Sequence, residues 1–303
     1  SNAIGASPAS KVSAPLTVTD TSGRVDFAAS WGQDRVDQDA LPLDDLYATR
    51  TRGEGTVVYV VDTGIRPHDE FGDRLLDGYS TVAGDSSWVD CHGHGTHVAS
   101  TAVGDRFGLA DDAVVVPVRV LDCGGGATTS GVVAGLDWIL THDADGRRGV
   151  VNLSLGGPAS PALDDAVADL VAAGFVVVVA AGNENQNACN VSPAREPSAI
   201  TVAATNSADA RPWFSNTGSC VDIFAPGSSI EAASITGTSD TVTLSGTSMA
   251  APHVAGAAAL VRTQYPTASA HDVAAILTAD GRTGVVGDRG TGSPDRFLNV
   301  ETT

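Results

Sequence analysis

A chain of 303 residues with 36 acidic and 17 basic side chains, a formal charge of −19, is long enough to bury a large core. Its basic residues include a single lysine, Lys11, and form no patch or stripe, which excludes a nucleic-acid footprint and docking on anionic membranes. The longest apolar run, around residues 175–181, is too short for insertion into a bilayer.

Ser1 to Ala3 look like the remnant of a removed tag, and residues 4–30, rich in Ser, Ala, Thr and Pro, read as a tail. Residues 1–30 are therefore set apart from one domain over 31–303, inside which no linker is visible. In chain order, "TVVYVVDTG" (56–64) predicts a buried strand and "GTHVASTAVG" (95–104) a helix. A strand over 113–122, a helix over 130–142 and a strand over 149–157 follow. A helix over 161–174, stopped by Gly174, leads into a strand over 174–183. Strands buried on both faces and alternating with helices predict an α/β fold of three layers, a mainly parallel sheet covered on both sides. In such sheets ligands meet the carboxyl ends of strands, where Asp62, Ser154 to Gly157 and Asn183 fall.

Two stretches carry denser chemistry. "SGTSMAAPHVAG" (245–256) sets a Gly-Thr-Ser turn ahead of an alanine-rich, helical stretch. Pro252 follows Ser248 by four residues, a place a stable helix tolerates only in its first turn. A hydroxyl at a helix start lies beside free N–H groups and the positive end of the dipole, so Ser248 reads either as a cap or as a nucleophile. "DCHGHGTHVAS" (90–100) holds His92, His94 and His97. The three invite a metal reading, but the i, i+3 spacing and the glycines around His94 suit a general base near another backbone better. The four cysteines, Cys91, Cys123, Cys189 and Cys220, lack CxxC spacing and leave three connectivities open.

Taken together, "VVDTGI" around Asp62, "GHGTHVA" around His94 and "SGTSMAAPHVAG" around Ser248 resemble the three catalytic segments of the subtilisin-like serine proteases, in their Asp…His…Ser order. "VVAAGNEN", "SPAREPSAITVAATN" and "CVDIFAPG" resemble the proteinase K branch, and the likeness runs from about Trp31 to Val300. The resemblance implies a secreted endopeptidase in which Ser248 attacks the peptide carbonyl, His94 moves the proton and Asp62 orients the imidazole. Asn183 would join the Ser248 backbone N–H at the oxyanion. His97 and His253 would be structural. Polypeptide substrates would pair as extended strands with two edges, Gly125, Gly126 and Ala127 on one side and Ser154, Leu155 and Gly156 on the other. Small residues there imply broad specificity with an apolar preference. The alternative is a silent or narrowly specific processing homologue that binds one protein partner.

The resemblance further implies disulfides 91–123 and 189–220 and a monomer. An inhibitory propeptide domain is a further expected partner, which residues 4–30 are too short to supply. It also implies structural calcium held by the carbonyls of Pro197 and Ala199 with the Asp222 carboxylate. A second site would use Asp34, Asp37, Gln38 and Asp44, although Leu46 stands where some members supply another oxygen side chain.

Overall fold

The structure is a computed structural model, and it describes residues 24–142 and 149–301. Residues 1–23 of the stretch read as a tail lie outside the described residues, but its last part is built into the fold. There β1 (Arg24–Phe27) pairs antiparallel with β2 (Leu46–Thr49), flanking α1 (Trp31–Val36). Local composition hid this strand because the pairing that creates it comes from twenty residues downstream.

The core sheet is built from β3 (Val57–Asp62), β4 (Tyr79–Ser80), β5 (Val114–Arg119), β6 (Val150–Leu153), β8 (Val176–Ala180), β10 (Ile200–Thr205) and β11 (Ile223–Pro226), with the short β7 (Gly157–Pro158) and β9 (Val191–Ser192) pairing outside it. These seven strands are all parallel, in the order β11-β10-β8-β6-β3-β5-β4. A hairpin of β12 (Ile230–Ala233) and β13 (Thr241–Leu244) stands beside it.

The helices are α2 (His94–Val103), α3 (Thr129–His142), α4 (Pro161–Ala173), α5 (Thr247–Gln264) and α6 (Ala270–Asp280). Each central strand sends alternate side chains to opposite layers, the period-two rule of a pleated strand. From β3, Val58 and Val60 enter a core shared with α2, α5 and α6, while Val57, Tyr59 and Val61 enter one shared with α3 and α4. Burial on both sides explains why these strands read as unbroken apolar runs. Gly174, at φ 102°, closes α4 as expected.

α5 runs through the larger core, and nearly all of its eighteen residues are buried. Its alanines let neighbouring elements come close. At Gly256 a Cβ would lie 2.7 Å from the Ala102 carbonyl oxygen of α2, so only glycine allows the two helices this separation. That contact matters for chemistry, because α2 begins at His94 and α5 carries Ser248 in its first turn.

Candidate active site

Asp62 closes β3 and is fully buried. Its Oδ1 accepts from the Thr63 N–H at 2.7 Å and meets His94 Nδ1 at 2.7 Å. His94 reaches it from the first residue of α2, and its side chain keeps 22% exposure toward the cleft. Gly95 makes that approach possible, since a Cβ there would lie 2.2 Å from the Gly64 carbonyl oxygen and 3.1 Å from Asp62. Burial pulls the His94 pKa down, but the Asp62 charge and hydrogen bond, with Asp90 behind them, outweigh it and leave it above the ordinary 6.5.

Asp90 was not singled out by sequence reasoning, yet it builds this corner. One oxygen accepts the N–H groups of His92 (2.8 Å) and Gly93 (2.9 Å), the other the N–H (3.0 Å) and hydroxyl (2.6 Å) of Thr96. A fully buried carboxylate thus ties the loop to the first turn of α2 and sets where His94 begins. Its signal was present in the sequence: an aspartate four residues before a helix start is a capping residue in waiting.

Ser248 is the second residue of α5. Pro252 lies in the second turn, not the first, and the reason is visible at the Ser248 carbonyl. A proline has no N–H to give that oxygen, which instead accepts the Ser154 hydroxyl at 2.8 Å. In return the Ser248 hydroxyl donates to the Ser154 carbonyl at 3.1 Å. The Ser154 hydroxyl is itself fixed by the Asn152 side-chain amide at 2.9 Å. Ser248 and His94 line one cavity.

Asn183 follows β8 and borders the same cavity. Its Oδ1 accepts from the Thr247 N–H at 2.8 Å and the Thr247 hydroxyl at 3.0 Å. Thr247 also accepts from the Gly182 N–H at 3.1 Å, so the amide is clamped with Nδ2 turned away. A Cβ placed on Gly246 would sit 3.5 Å from Asn183 Nδ2 and 3.6 Å from the Ser248 nitrogen.

The two expected peptide edges face each other across a cavity of about 560 Å³ that includes His94, Gly125, Ala127, Ser154, Leu155 and Gly156. Gly126 is turned into its own loop, giving its N–H to Asp122 Oδ1 at 3.0 Å and its carbonyl to the Asp122 N–H at 2.9 Å. A second cavity of about 480 Å³ opens beside Ser248, with Gly156, Gly157, Ala180 and Gly182 as small walls. Glu184, Gln186 and Asn190 add polar atoms there that the sequence reading had not anticipated.

The other two histidines of interest stand apart from this chemistry. His97 Nε2 hydrogen-bonds the Ile230 carbonyl at 3.0 Å, and His253 Nδ1 the Met249 carbonyl at 2.8 Å. Burial lowers each to about 4, so both rings are neutral at physiological pH. The cysteines form two disulfides, Cys91–Cys123 and Cys189–Cys220. Closing loops of 32 and 31 residues, each contributes roughly 3–4 kcal/mol in the chain-entropy account.

Among the described residues no three His, Cys, Asp or Glu side chains converge as a metal cluster, so a cation here would depend on carbonyl and amide oxygens as well. The acidic segment near α1 fits that requirement. Asp34 is spent on the loop, accepting the N–H groups of Asp44 (3.2 Å) and Asp45 (2.9 Å), and Asp44 accepts that of Leu46 at 3.1 Å. Asp37 Oδ1 and Gln38 Oε1 are buried without a hydrogen-bond partner. Burial, with Asp44 and Asp34 nearby, pushes the Asp37 carboxyl up to about 7. Asp222 accepts the Thr201 N–H at 2.8 Å, and burial raises it to about 6. Both are carboxylates short of positive charge.

The subtilase family model matches residues 53–292. An extracellular serine proteinase of Thermus sp. (strain Rt41A) is 50% identical over 275 residues, covering 90% of this chain and 67% of that protein. Alkaline serine exoprotease A of Vibrio alginolyticus is 49% identical over 89% of this chain and 50% of its own length. A cold-adapted subtilisin-like serine proteinase of known structure superimposes with a TM-score of 0.87 at 45% identity, covering 91% of this chain and 99% of that one. The chain belongs to the subtilase family of serine endopeptidases, and spans half to two thirds of the length of these two relatives.

Proposed function

We propose that the chain hydrolyses peptide bonds through Asp62, His94 and Ser248, with Asn183 and the Ser248 N–H stabilising the oxyanion. The observation that carries this reading is the 2.7 Å contact between Asp62 and His94 at the wall of a cavity that also holds Ser248 and Asn183. Ser248 Oγ forms a bond to the substrate carbonyl carbon while its proton passes to His94 Nε2. The carbonyl oxygen takes up the negative charge between the two donors. Collapse of the tetrahedral adduct breaks the C–N bond, and His94 returns the proton to the leaving amine; water then repeats the sequence on the acyl-enzyme. Asp62 accepts the Nδ1–H and stabilises the imidazolium. Replacing Asn183 with Ala is expected to lower kcat about 10²–10³-fold with little change in KM, the range found for the oxyanion asparagine of subtilisin itself. A loss falling wholly on KM would mean that Asn183 binds the ground state instead.

The substrates of this reading are extended polypeptides laid between the edges at Gly125–Ala127 and Ser154–Gly156. The small-walled cavity beside Ser248 supports broad acceptance of apolar residues on the acyl side. Two disulfides and the extracellular relative from Thermus support secretion.

Calcium belongs to the same proposal as a structural ion. Asp37 and Gln38 would hold one ion with Asp34 and Asp44 in support, and Asp222 another with the carbonyls of Pro197 and Ala199. Oxygen-only ligands suit this hard cation, which would neutralise the buried carboxylates. The pH dependence has a definite sign. A carboxyl raised in the folded state contributes stability while protonated and loses it as pH climbs through the folded value, about 6 for Asp222 and about 7 for Asp37. Calcium should therefore raise Tm over the chelated protein more at pH 8 than at pH 5, and Asp37→Ala with Asp222→Ala should abolish the difference. An equal Tm with calcium and with chelator at pH 8 would overturn the assignment.

A further inference from the structure

Of the three histidines between residues 90 and 100, only His92 is left without a role in catalysis or packing. His97 is turned into the core toward the Ile230 carbonyl, and His94 meets Asp62. His92 is exposed, and among the described residues its ring makes no hydrogen bond. It lines two cavities together with His94, the one of about 560 Å³ between the peptide edges and one of about 440 Å³ that reaches Ser248 and Asn183.

The two rings meet in a T, with centroids 6.3 Å apart and planes at 71°. Both stand on a loop pinned by Asp90, which accepts the His92 N–H at 2.8 Å and the Gly93 N–H at 2.9 Å. Two imidazoles that share a tetrahedral ion at about 2.0–2.1 Å per nitrogen have centroids roughly 5 Å apart. The difference is small enough for a turn of the His92 side chain, which no hydrogen bond restrains, to close it. Gly125 leaves room for that turn, since only a Cβ there would crowd His92 Nε2, at 3.4 Å. His94 is already oriented as a ligand. Asp62 holds its Nδ1 at 2.7 Å, so the lone pair lies on Nε2, on the cleft side. A carboxylate behind an imidazole is the arrangement that orients metal-bound histidines and raises their basicity. The excess of 36 acidic over 17 basic residues draws cations to the surface.

We propose that His92 and His94 together bind a borderline-soft divalent cation, Zn²⁺, and that the bound ion reversibly switches the protein off. Two imidazoles are fewer ligands than a structural site supplies, so water completes the shell and the ion exchanges. Neutral nitrogen donors suit Zn²⁺ and leave Ca²⁺ and Mg²⁺ to oxygen ligands, which separates this site from the calcium proposed at Asp37 and Asp222. The switching rests on the catalytic reading: the ion takes the Nε2 lone pair that must receive the Ser248 proton.

The test keeps calcium present throughout, so that sites for hard cations stay filled. Zn²⁺ is titrated into the wild-type protein and His92→Asn, and each rate on a chromogenic peptide is divided by the same protein's rate without zinc. Wild-type activity is expected to fall as zinc rises and to return with a zinc-selective chelator. His92→Asn should need about tenfold or more zinc for half inhibition, the least that losing even a supporting group around a metal costs. Calorimetry on Ser248→Ala reads binding without any turnover: zinc should bind this variant, and bind it more weakly by the same factor once His92→Asn is added. Equal half-inhibition of wild type and His92→Asn, or no inhibition of an active wild-type protein, would overturn the proposal. His92-dependent zinc binding to Ser248→Ala, alongside a wild-type protein that cleaves nothing without zinc, would instead uphold the metal site and strike the catalytic reading.

Discussion

Ser248→Ala is expected to lower kcat by about 10⁶-fold, the size found when the nucleophile of subtilisin is removed. The loss is this large because the hydroxyl is the attacking atom of the proposed mechanism. Ser154, its hydrogen-bond partner, gives its own hydrogen to the Ser248 carbonyl, an oxygen that Pro252 leaves without a helix partner. The substitution removes one hydrogen bond, from the Ser248 hydroxyl to the Ser154 carbonyl, and leaves the backbone of α5 intact. The variant should fold and still bind peptides, with KM or Kd little changed. A serine-directed phosphonylating reagent should label the wild-type protein at Ser248 and leave Ser248→Ala unlabelled. Retained activity in the variant, or labelling at another serine, would remove Ser248 from the mechanism.

Asp62→Asn should cost about 10⁴-fold in kcat. The new side chain matches the old in shape and can still accept from Thr63, but it no longer fixes the imidazole tautomer and it takes away the main negative charge facing the imidazolium, leaving Asp90 behind. The pH profile separates this from simple damage. His94 acts only when neutral, and its pKa is raised, so wild-type activity should be half lost at a pH above 6.5 and fall further as pH drops. Because Asp62 contributes most of the upward pull, the residual activity of Asp62→Asn should persist to lower pH than that of the wild type. An acid limb that stays in place would show that the titrating group is not His94.

The residues proposed for catalysis stand out in the sequence because each sits where a strong local pattern breaks. Asp62 ends an unbroken apolar strand, His94 stands between two glycines at a helix start, and Ser248 follows a glycine turn. What holds them was less legible, because it depends on pairs remote in sequence. The exchange between Ser154 and Ser248 joins residues 94 positions apart, and the β12–β13 hairpin is locked by His68 and Asp69 from well over a hundred residues upstream. β1 escaped for the same reason, since its exposed Val25 and Phe27 look unremarkable until β2 lies beside them. α6 is different: Ser269 and Asp272 form a capping box that could have been read directly. Gly126 shows the opposite limit. A glycine run marks the expected peptide edge, but that Gly126 closes back on Asp122 through both its N–H and its carbonyl was not visible in the run itself.

α5 packs against β3, β6, β8, β10 and β11 as well as α2 and α6, and its first turn carries Ser248. Ser248 is therefore anchored to the buried core of the molecule, not to a loop that can loosen on its own. In a solution of its own copies, a molecule that loosens only at its edges keeps that hydroxyl in place, so early opening alone does not disarm it on the proposed reading.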